Sequence, residues 1–223
     1  MEWRCAKRYK RAGRSGAVMI VLGLTGSIAM GKSTIGAMMQ NMNIPVHDAD
    51  KEVHRLLQTD SEARMAIAAA FPLFEYPDIY DKKTKNIKRK ELSNFIFNNP
   101  DHRQTLESII HPLVQKSQNE FIRSAMLKGV DIVCLDIPLL FETGAQKRVD
   151  YTIVASAPYN IQRERAMSRP NMSEEKFHAI LEQQMPDAQK STLCDFVIKT
   201  GLGRAYAMNE LKFIIAKIKG NTK

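Results

Sequence analysis

The chain has 223 residues, of which 44% are hydrophobic and 26% are charged, close to the average for globular proteins. A chain of this length buries enough surface to fold without disulfides or a structural metal, and no apolar run approaches the ~18 residues of a membrane span. The formal net charge of +9 suits nucleic acid or a small polyanion. We expect the small polyanion, because the sequence shows no recognition helix and no platform of aromatic and basic residues.

Residues 1–18 form a basic leader, with six Lys or Arg residues against the acidic Glu2. The leader holds no apolar run of the kind found in a secretory signal, and we expect it to be disordered. Met19 directly precedes the first apolar segment and is therefore a candidate start of the functional protein.

The cysteines bear on the redox compartment. Cys5, Cys134 and Cys194 are odd in number and widely spaced, and they form no C-x-x-C motif. This pattern argues against a disulfide framework and against a zinc site. We expect a protein of the reducing cytoplasm.

Short apolar segments separated by helical stretches predict a parallel sheet with helices on both faces. The predicted strands are residues 19–24, 43–47, 131–136, 151–155 and 194–198. About eighty residues separate the second and third strands, whereas a crossover needs roughly a dozen. We therefore expect an inserted helical subdomain at 51–127. Its helices are expected to break at Pro72, Pro77, Pro100 and Pro112.

A glycine-rich loop follows the first predicted strand and opens a helix, and it fits G-x-x-x-x-G-K-S/T at every fixed position. In such a loop the backbone N–H groups point inward and hold phosphate oxygens at the positive end of the helix dipole. Lys32 supplies a charge to the phosphates, and the Ser33 hydroxyl can coordinate Mg²⁺. The loop predicts an ATP site. Its residues are Gly26, Ser27, Ile28, Ala29, Met30, Gly31, Lys32, Ser33 and Thr34.

Carboxylates follow the second and third predicted strands, at the edge where open α/β sheets bind ligands. Asp48 and Asp50 follow the second strand. Asp50 fits two interpretations, a base toward an acceptor hydroxyl or the cap of the next helix. Asp136 ends the third strand, where an acid can help to hold Mg²⁺, and the sequence leaves that role open.

The phosphate loop within residues 23–34 and the Asp48-Ala49-Asp50 sequence together resemble the dephospho-coenzyme A kinase family. Further segments follow in the order found in that family, so the resemblance spans about residues 19–200. These segments are Leu106-Glu107, Ile110-His111-Pro112, Pro138-Leu139-Leu140-Phe141-Glu142, the lid residues Gln162, Arg165 and Arg169, Gln183 or Gln184, and Asp195-Phe196-Val197-Ile198.

The resemblance implies a kinase that transfers the ATP γ-phosphoryl group to the ribose 3′-hydroxyl of dephospho-coenzyme A, the last step of coenzyme A biosynthesis. The implied fold is α/β, with a five-stranded parallel P-loop kinase core at 19–50 and 128–223. A helical lid is expected at about 159–190, and the insertion at 51–127 is expected to bind substrate. The implied partners are ATP and dephospho-coenzyme A, with Mg²⁺ as cofactor. We expect a cytoplasmic monomer or weak homo-oligomer that binds neither nucleic acid nor membranes.

The resemblance also assigns roles to individual residues. The expected catalytic residues are Asp50, Lys32, Arg165 and Arg169. The expected substrate-binding residues are Asp50, His111 and Glu142, and Ser33 is the expected metal ligand. Some alternatives stay open: His111 equally fits a structural cap or core role, and Glu142 a surface acid. Arg165 and Arg169, one helical turn apart, fit either a phosphate site or a solvated basic face.

Several positions depart from the family's usual sequence. Ser27, Ala29 and Met30 replace Gly, Gly and Ser in the loop. Ala29 needs a negative φ there or accepts strain. Lys88 replaces an acid in the insertion, and Thr200 stands where Asn is usual, which leaves the local roles of both positions open.

The phosphate loop alone also fits two other functions. A kinase of nucleosides or nucleoside monophosphates is one, and the long insertion and residues 138–142 argue against it. A basic nucleic-acid-binding NTPase is the other, and it predicts tight, salt-sensitive binding to oligonucleotides.

Overall fold

The computed structural model describes residues 9–10, 18–97 and 99–220. The chain divides into two compact units. One unit consists of Ala49–Phe121, and the other comprises the described residues that precede and follow this segment.

The discontinuous unit contains a sheet with the order β3-β4-β2-β5-β6, in which each neighbouring pair is parallel. This confirms the five-stranded parallel sheet predicted from the sequence. The central strand is β2, whose Leu22 lies opposite both Cys134 and Tyr151. The loop after β2 therefore emerges in the middle of the carboxyl edge, where such sheets bind ligands. The strands are β1 (Tyr9–Lys10), β2 (Val18–Thr25), β3 (Val46–Asp48), β4 (Ile132–Asp136), β5 (Tyr151–Ser156) and β6 (Phe196–Lys199).

Strand β1 differs from the disordered leader that the sequence predicts. Tyr9 and Lys10 pair antiparallel with Met19 and Val18, at the start of β2. Residues 1–8 and 11–17 of the leader lie outside the described part of the chain.

The helices of this unit cover the sheet with apolar faces. Leu24 of β2 packs in one core with Ile35 of α1 and Leu211 of α9. The α9 residues Ile214, Ile215 and Ile218 belong to the same core, so one face of this helix is apolar. The helices are α1 (Lys32–Asn41), α6 (Tyr159–Met167), α7 (Glu174–Glu182), α8 (Asp187–Leu193) and α9 (Arg204–Gly220).

The sequence predicts that the second strand begins at residue 43, but β3 begins at Val46. Asn43 has a left-handed φ of 59° and its N–H donates to the carbonyl of Gln40, so it closes the turn after α1. Pro45 has no N–H to donate to a ladder, although its carbonyl accepts a hydrogen bond from Cys134. The extended ladder therefore starts only after the proline.

The unit Ala49–Phe121 is helical. Its core unites Leu56, Ile67, Phe71, Leu92 and Ile110. Within the described ranges, none of the protein's helices combines the length and apolar character needed to span a bilayer. The helices that form this unit are α2 (Ala49–Thr59), α3 (Ser61–Ala70), α4 (Arg89–Phe97) and the larger part of α5 (Pro100–Leu127).

Helix α5 continues through Pro112, where the sequence predicts a break. A proline at this position removes the N–H that would bond the carbonyl of Ser108. Ile110 and Val114 on either side are buried in the core of the helical unit, and this packing stabilises the helix across the missing bond. Pro100 occupies the first position of α5, where the absent N–H costs nothing.

Candidate active site

The glycines of the phosphate loop, between β2 and α1, occupy positions where a side chain does not fit. A Cβ atom on Gly26 would lie 2.7 Å from the carbonyl oxygen of Ala155. Gly31 has a φ of 87°, and a Cβ there would lie 3.0 Å from Thr200 Oγ1. Because Gly31 is the N-cap of α1, the first-turn N–H groups of this helix open into the loop. This arrangement binds phosphate.

Lys32 forms an ion pair with Asp136, the last residue of β4. The Lys32 Nζ and Asp136 Oδ1 atoms are 2.6 Å apart, and the two side chains are 14% and 5% exposed. Asp136 reaches this position because β4 pairs in register with β2, with Asp136 opposite Leu24. Ser33 is exposed in the first turn of α1, next in sequence to the ion-paired lysine.

The unusual loop residues Ala29 and Met30 are accommodated in different ways. Ala29 has a φ of 61°, so it accepts the left-handed conformation, and its methyl group packs with Ala166 and Phe177. Met30 is buried, and its sulfur accepts a hydrogen bond of 3.1 Å from the N–H of Ala157. Both side chains therefore pack against the polypeptide that follows β5.

Two glutamines hold the backbone of Ile28 within the loop. Gln162 Nε2 of α6 donates to the Ile28 carbonyl at 2.9 Å, and the Ile28 N–H donates to Gln184 Oε1 at 2.9 Å. The Thr200 hydroxyl donates to the carbonyl of Met30 at 2.6 Å. Of the two glutamines that the sequence leaves as alternatives, Gln184 is thus the one in contact with the loop, whereas Gln183 is exposed.

Arg165 is bound to the residue that stands in place of the usual Asn. Its guanidinium donates to the hydroxyl and to the carbonyl of Thr200, each at 2.9 Å. Helix α6 ends at Met167, so Arg169 lies beyond the helix and is exposed. The helical face that the sequence predicts for the two arginines therefore does not extend to Arg169.

Glu142 has partners within the protein. Its Oε1 lies 2.9 Å from Lys190 Nζ and accepts a hydrogen bond of 2.9 Å from the N–H of Met185. Lys190 is fully buried, and Asp187, one turn earlier in α8, has a carboxyl pKa that burial raises. Glu142 is thus an exposed residue whose carboxylate is held by a buried lysine and a backbone N–H. No sequence pattern marks Lys190, because it is a single lysine in a helix of 7 residues.

Asp50 and His111 both belong to the helical unit. Helix α2 begins at Ala49, so Asp50 lies in its first turn and not at the capping position. His111 is exposed in the middle of α5, which leaves it neither a core residue nor a helix cap. Both side chains are accessible to a ligand.

The described cysteines are not nucleophiles. Burial raises the pKa of the Cys134 thiol far above its ordinary value and that of Cys194 to about 11. Both thiols are free and stay protonated at neutral pH.

The central β2 strand, the loop with Lys32 at the start of α1, and the parallel sheet together define a P-loop nucleotide-binding protein of the kinase type. The family model for dephospho-CoA kinase matches residues 20–203. The chain belongs to the dephospho-CoA kinase family.

Individual relatives match this chain over most of their length. A dephospho-CoA kinase of Agrobacterium fabrum is 44% identical over 201 residues, which are 90% of this chain and 99% of the relative. A solved structure from Thermus thermophilus superposes with a TM-score of 0.74 at 28% identity, over 89% of this chain and 97% of its own. The dephospho-CoA kinase from Campylobacter jejuni gives a TM-score of 0.59 at 27% identity, over 90% and 97% of the two chains.

Proposed function

We propose that this protein transfers the γ-phosphoryl group of ATP to the ribose 3′-hydroxyl of dephospho-coenzyme A, giving coenzyme A and ADP. The observation that carries the proposal is the phosphate loop, with Gly31 at the N-cap of α1 and Lys32 beside it, in a chain that matches the family over residues 20–203. The reaction completes coenzyme A biosynthesis.

Phosphate binding falls to the loop and to Lys32. The first-turn N–H groups of α1 face the loop and suit phosphate oxygens without any side chain. Lys32 Nζ has one hydrogen directed to Asp136, and its remaining hydrogens are available to the β and γ phosphates. The pair with Asp136 holds the lysine in place before the nucleotide arrives, so little ordering is needed on binding.

The residues beside the loop fit a magnesium ion. The Ser33 hydroxyl and the Asp136 carboxylate provide hard oxygen ligands, and Mg²⁺ completes its shell with water and with substrate phosphates. In the described part of the chain, no cluster of three or more His, Cys, Asp or Glu residues could hold a metal by itself. A metal shared with ATP therefore suits this chain, and when bound it neutralises charge on the phosphates.

We assign the role of general base to Asp50. The acceptor hydroxyl is a poor nucleophile, and it loses its proton as its oxygen bonds to the γ-phosphorus and ADP leaves. An exposed carboxylate two residues after β3 can orient the hydroxyl and accept that proton. Asp50 lies in the first turn of α2, near the positive end of the helix dipole.

The remaining roles concern the acceptor and the lid. We propose that the helical insertion binds dephospho-coenzyme A with His111, and that Glu142 contributes from its ion pair with Lys190. Arg165 has N–H groups beyond the two that bind Thr200, and Arg169 is exposed, so both suit phosphoryl oxygens. The helix–break–helix of α6 and α7, with Ser173 as the N-cap of α7, suits a lid that excludes water.

A coupled assay tests the proposal. Purified protein is supplied with ATP, Mg²⁺ and dephospho-coenzyme A, and ADP release and coenzyme A formation are followed together. Equimolar ADP and coenzyme A are the expected result, with Lys32→Ala as the inactive control. Faster ADP release with a nucleoside monophosphate would assign the protein to a different acceptor. We also propose a cytoplasmic protein that is a monomer or a weak homo-oligomer and does not bind nucleic acid. Light scattering measures the oligomeric state, and titration with oligonucleotides measures nucleic-acid binding.

A further inference from the structure

Side chains that lie far away in sequence form hydrogen bonds to the backbone of the phosphate loop. Gln162 donates to the Ile28 carbonyl and Gln184 accepts from the Ile28 N–H, both at 2.9 Å. Gln162 is 3% exposed, so its amide is committed to this contact rather than to water. The backbone N–H and carbonyl of Ile28 are thus both bound by side chains from the segment that includes α6 and α7.

The residue that follows, Ala29, stands in an unfavourable conformation. Its φ of 61° brings a Cβ atom close to the neighbouring carbonyl, which costs free energy for every residue except glycine. The N–H of Met30 donates to the carbonyl of Ser27 at 3.2 Å, so Ile28 and Ala29 are the two central residues of a tight turn. Such a conformation persists only where its surroundings enforce it.

The surroundings that enforce this turn come from the same segment as the glutamines. The Ala29 methyl group packs with Ala166 of α6 and Phe177 of α7, both fully buried. Hydrogen bonds at Ile28 and apolar packing at Ala29 therefore act on consecutive residues of the loop.

We propose that Gln162 and Gln184 are positioning residues for the nucleotide phosphates: they hold the Ile28–Ala29 turn in the conformation that the loop needs to bind ATP. The N–H of Ile28 is bound to Gln184 and not to phosphate. Ile28 therefore affects phosphate binding only by determining the path of the loop backbone. The proposal rests on the ATP-dependent function proposed above, and it adds that the segment after β5 sets the shape of the loop before the acceptor binds.

ATP affinity, measured by titration calorimetry without acceptor, tests the proposal directly. Gln162→Ala and Gln184→Ala each remove one hydrogen bond to the loop and should weaken ATP binding about fivefold to tenfold. The KM for ATP should rise by a similar factor, while the KM for dephospho-coenzyme A changes less than twofold. Gln183→Ala, the same change at the adjacent exposed residue, should leave both values as in the wild type. Because calorimetry needs no acceptor, a failure of the proposed acceptor chemistry would not mimic a failure here.

A pair of glutamate variants separates hydrogen bonding from packing. Gln184→Glu keeps an oxygen that accepts from the Ile28 N–H, whereas Gln162→Glu replaces a donor by an acceptor that faces the Ile28 carbonyl. Both variants add one carboxyl group beside the same peptide, and they differ in whether the Ile28 group that faces it is a donor or an acceptor and in how deeply the position is buried. We expect ATP to bind about fivefold more weakly to Gln162→Glu than to Gln184→Glu.

Equal ATP affinity of the two glutamate variants would overturn the proposal, and so would wild-type ATP affinity in both alanine variants. If Gln162→Ala and Gln162→Glu do not fold, variants of the half-buried Gln184 are used to test the proposal. In that case Gln184→Ala must weaken ATP binding about fivefold to tenfold relative to the wild type, and wild-type affinity in this variant overturns the proposal.

Discussion

Glu142 and Lys190 form an ion pair in which the two partners differ in access to water. Their Oε1 and Nζ atoms are 2.9 Å apart, but the lysine side chain is 0% exposed and the glutamate side chain is 19% exposed. A charge left behind without its partner is costlier when it is fully buried. Loss of the glutamate charge should therefore harm the protein more than loss of the lysine.

Urea unfolding of Glu142→Gln and Lys190→Met tests this asymmetry. Glu142→Gln leaves the buried Lys190 ammonium without its nearest carboxylate, and the free energy of unfolding should fall by about 3–5 kcal/mol. Lys190→Met leaves Glu142 partly solvated and still bound to the Met185 N–H, and should cost less. The double variant should be more stable than Glu142→Gln alone. If the two single variants lose equal stability, the difference in burial is not what sets the cost.

Lys32→Ala should lower kcat/KM by at least ~10²–10³-fold, because the charge that we propose to face the transferring phosphoryl group is lost. The ion pair with the buried Asp136 adds a second effect, a fall in unfolding free energy of about 1–3 kcal/mol. Lys212→Ala, which removes an exposed lysine from α9, is the control and should change neither quantity. Near-normal turnover in Lys32→Ala would contradict the assignment of the loop.

Asp50→Asn should reduce kcat by at least ~10²-fold if the carboxylate takes the proton of the acceptor hydroxyl. The substitution keeps the size of the side chain, and the change in stability is limited to the loss of one charge in the first turn of α2, a few tenths of a kcal/mol. Thermal unfolding monitors that second quantity. Asp48→Asn is the comparison, and a larger loss of kcat there than at position 50 would move the base two residues back.

Substitution of Arg165 and of Arg169 should affect catalysis in the same way but should affect the stability of the protein differently. Arg165→Ala and Arg169→Ala should each lower kcat more than they weaken ATP binding, because the lid proposed here would bring both arginines to the phosphates only on closure. Only Arg165→Ala removes the hydrogen bonds to Thr200 and should also lower the melting temperature. Unchanged kcat with a raised KM in either variant would show instead that the arginine stabilises the bound substrate and the transition state equally.

Gly31→Ala should abolish tight ATP binding and reduce the free energy of unfolding by more than the ~1–2 kcal/mol of a left-handed alanine. The excess comes from Thr200, whose Oγ1 would lie 3.0 Å from the new Cβ. Gly144→Ala is a matched control: Gly144 has a similar φ of 70°, and among the described residues no atom outside its chain neighbours lies within 4 Å of an added Cβ. Calorimetry should find ATP affinity unchanged in this control.

Local sequence patterns predicted the parts of the fold and site that depend on local physics. The spacing of Gly26, Gly31 and Lys32 located the phosphate loop, because backbone conformation and the helix N-terminus are determined within a few residues. Predictions failed where packing outweighed propensity, as at Pro112, whose helix continues. The contact between Gln184 and Ile28 joins residues 156 positions apart, and no local pattern reports such a separation.

The hydrogen bonds to Ile28 reach only its main-chain atoms. Recognition through peptide groups places few demands on the side chain, so position 28 can exchange one apolar residue for another while the path of the loop stays the same. Proline is the exception, because it has no N–H to offer Gln184. The loop thereby combines a fixed backbone with tolerance of apolar exchange at position 28.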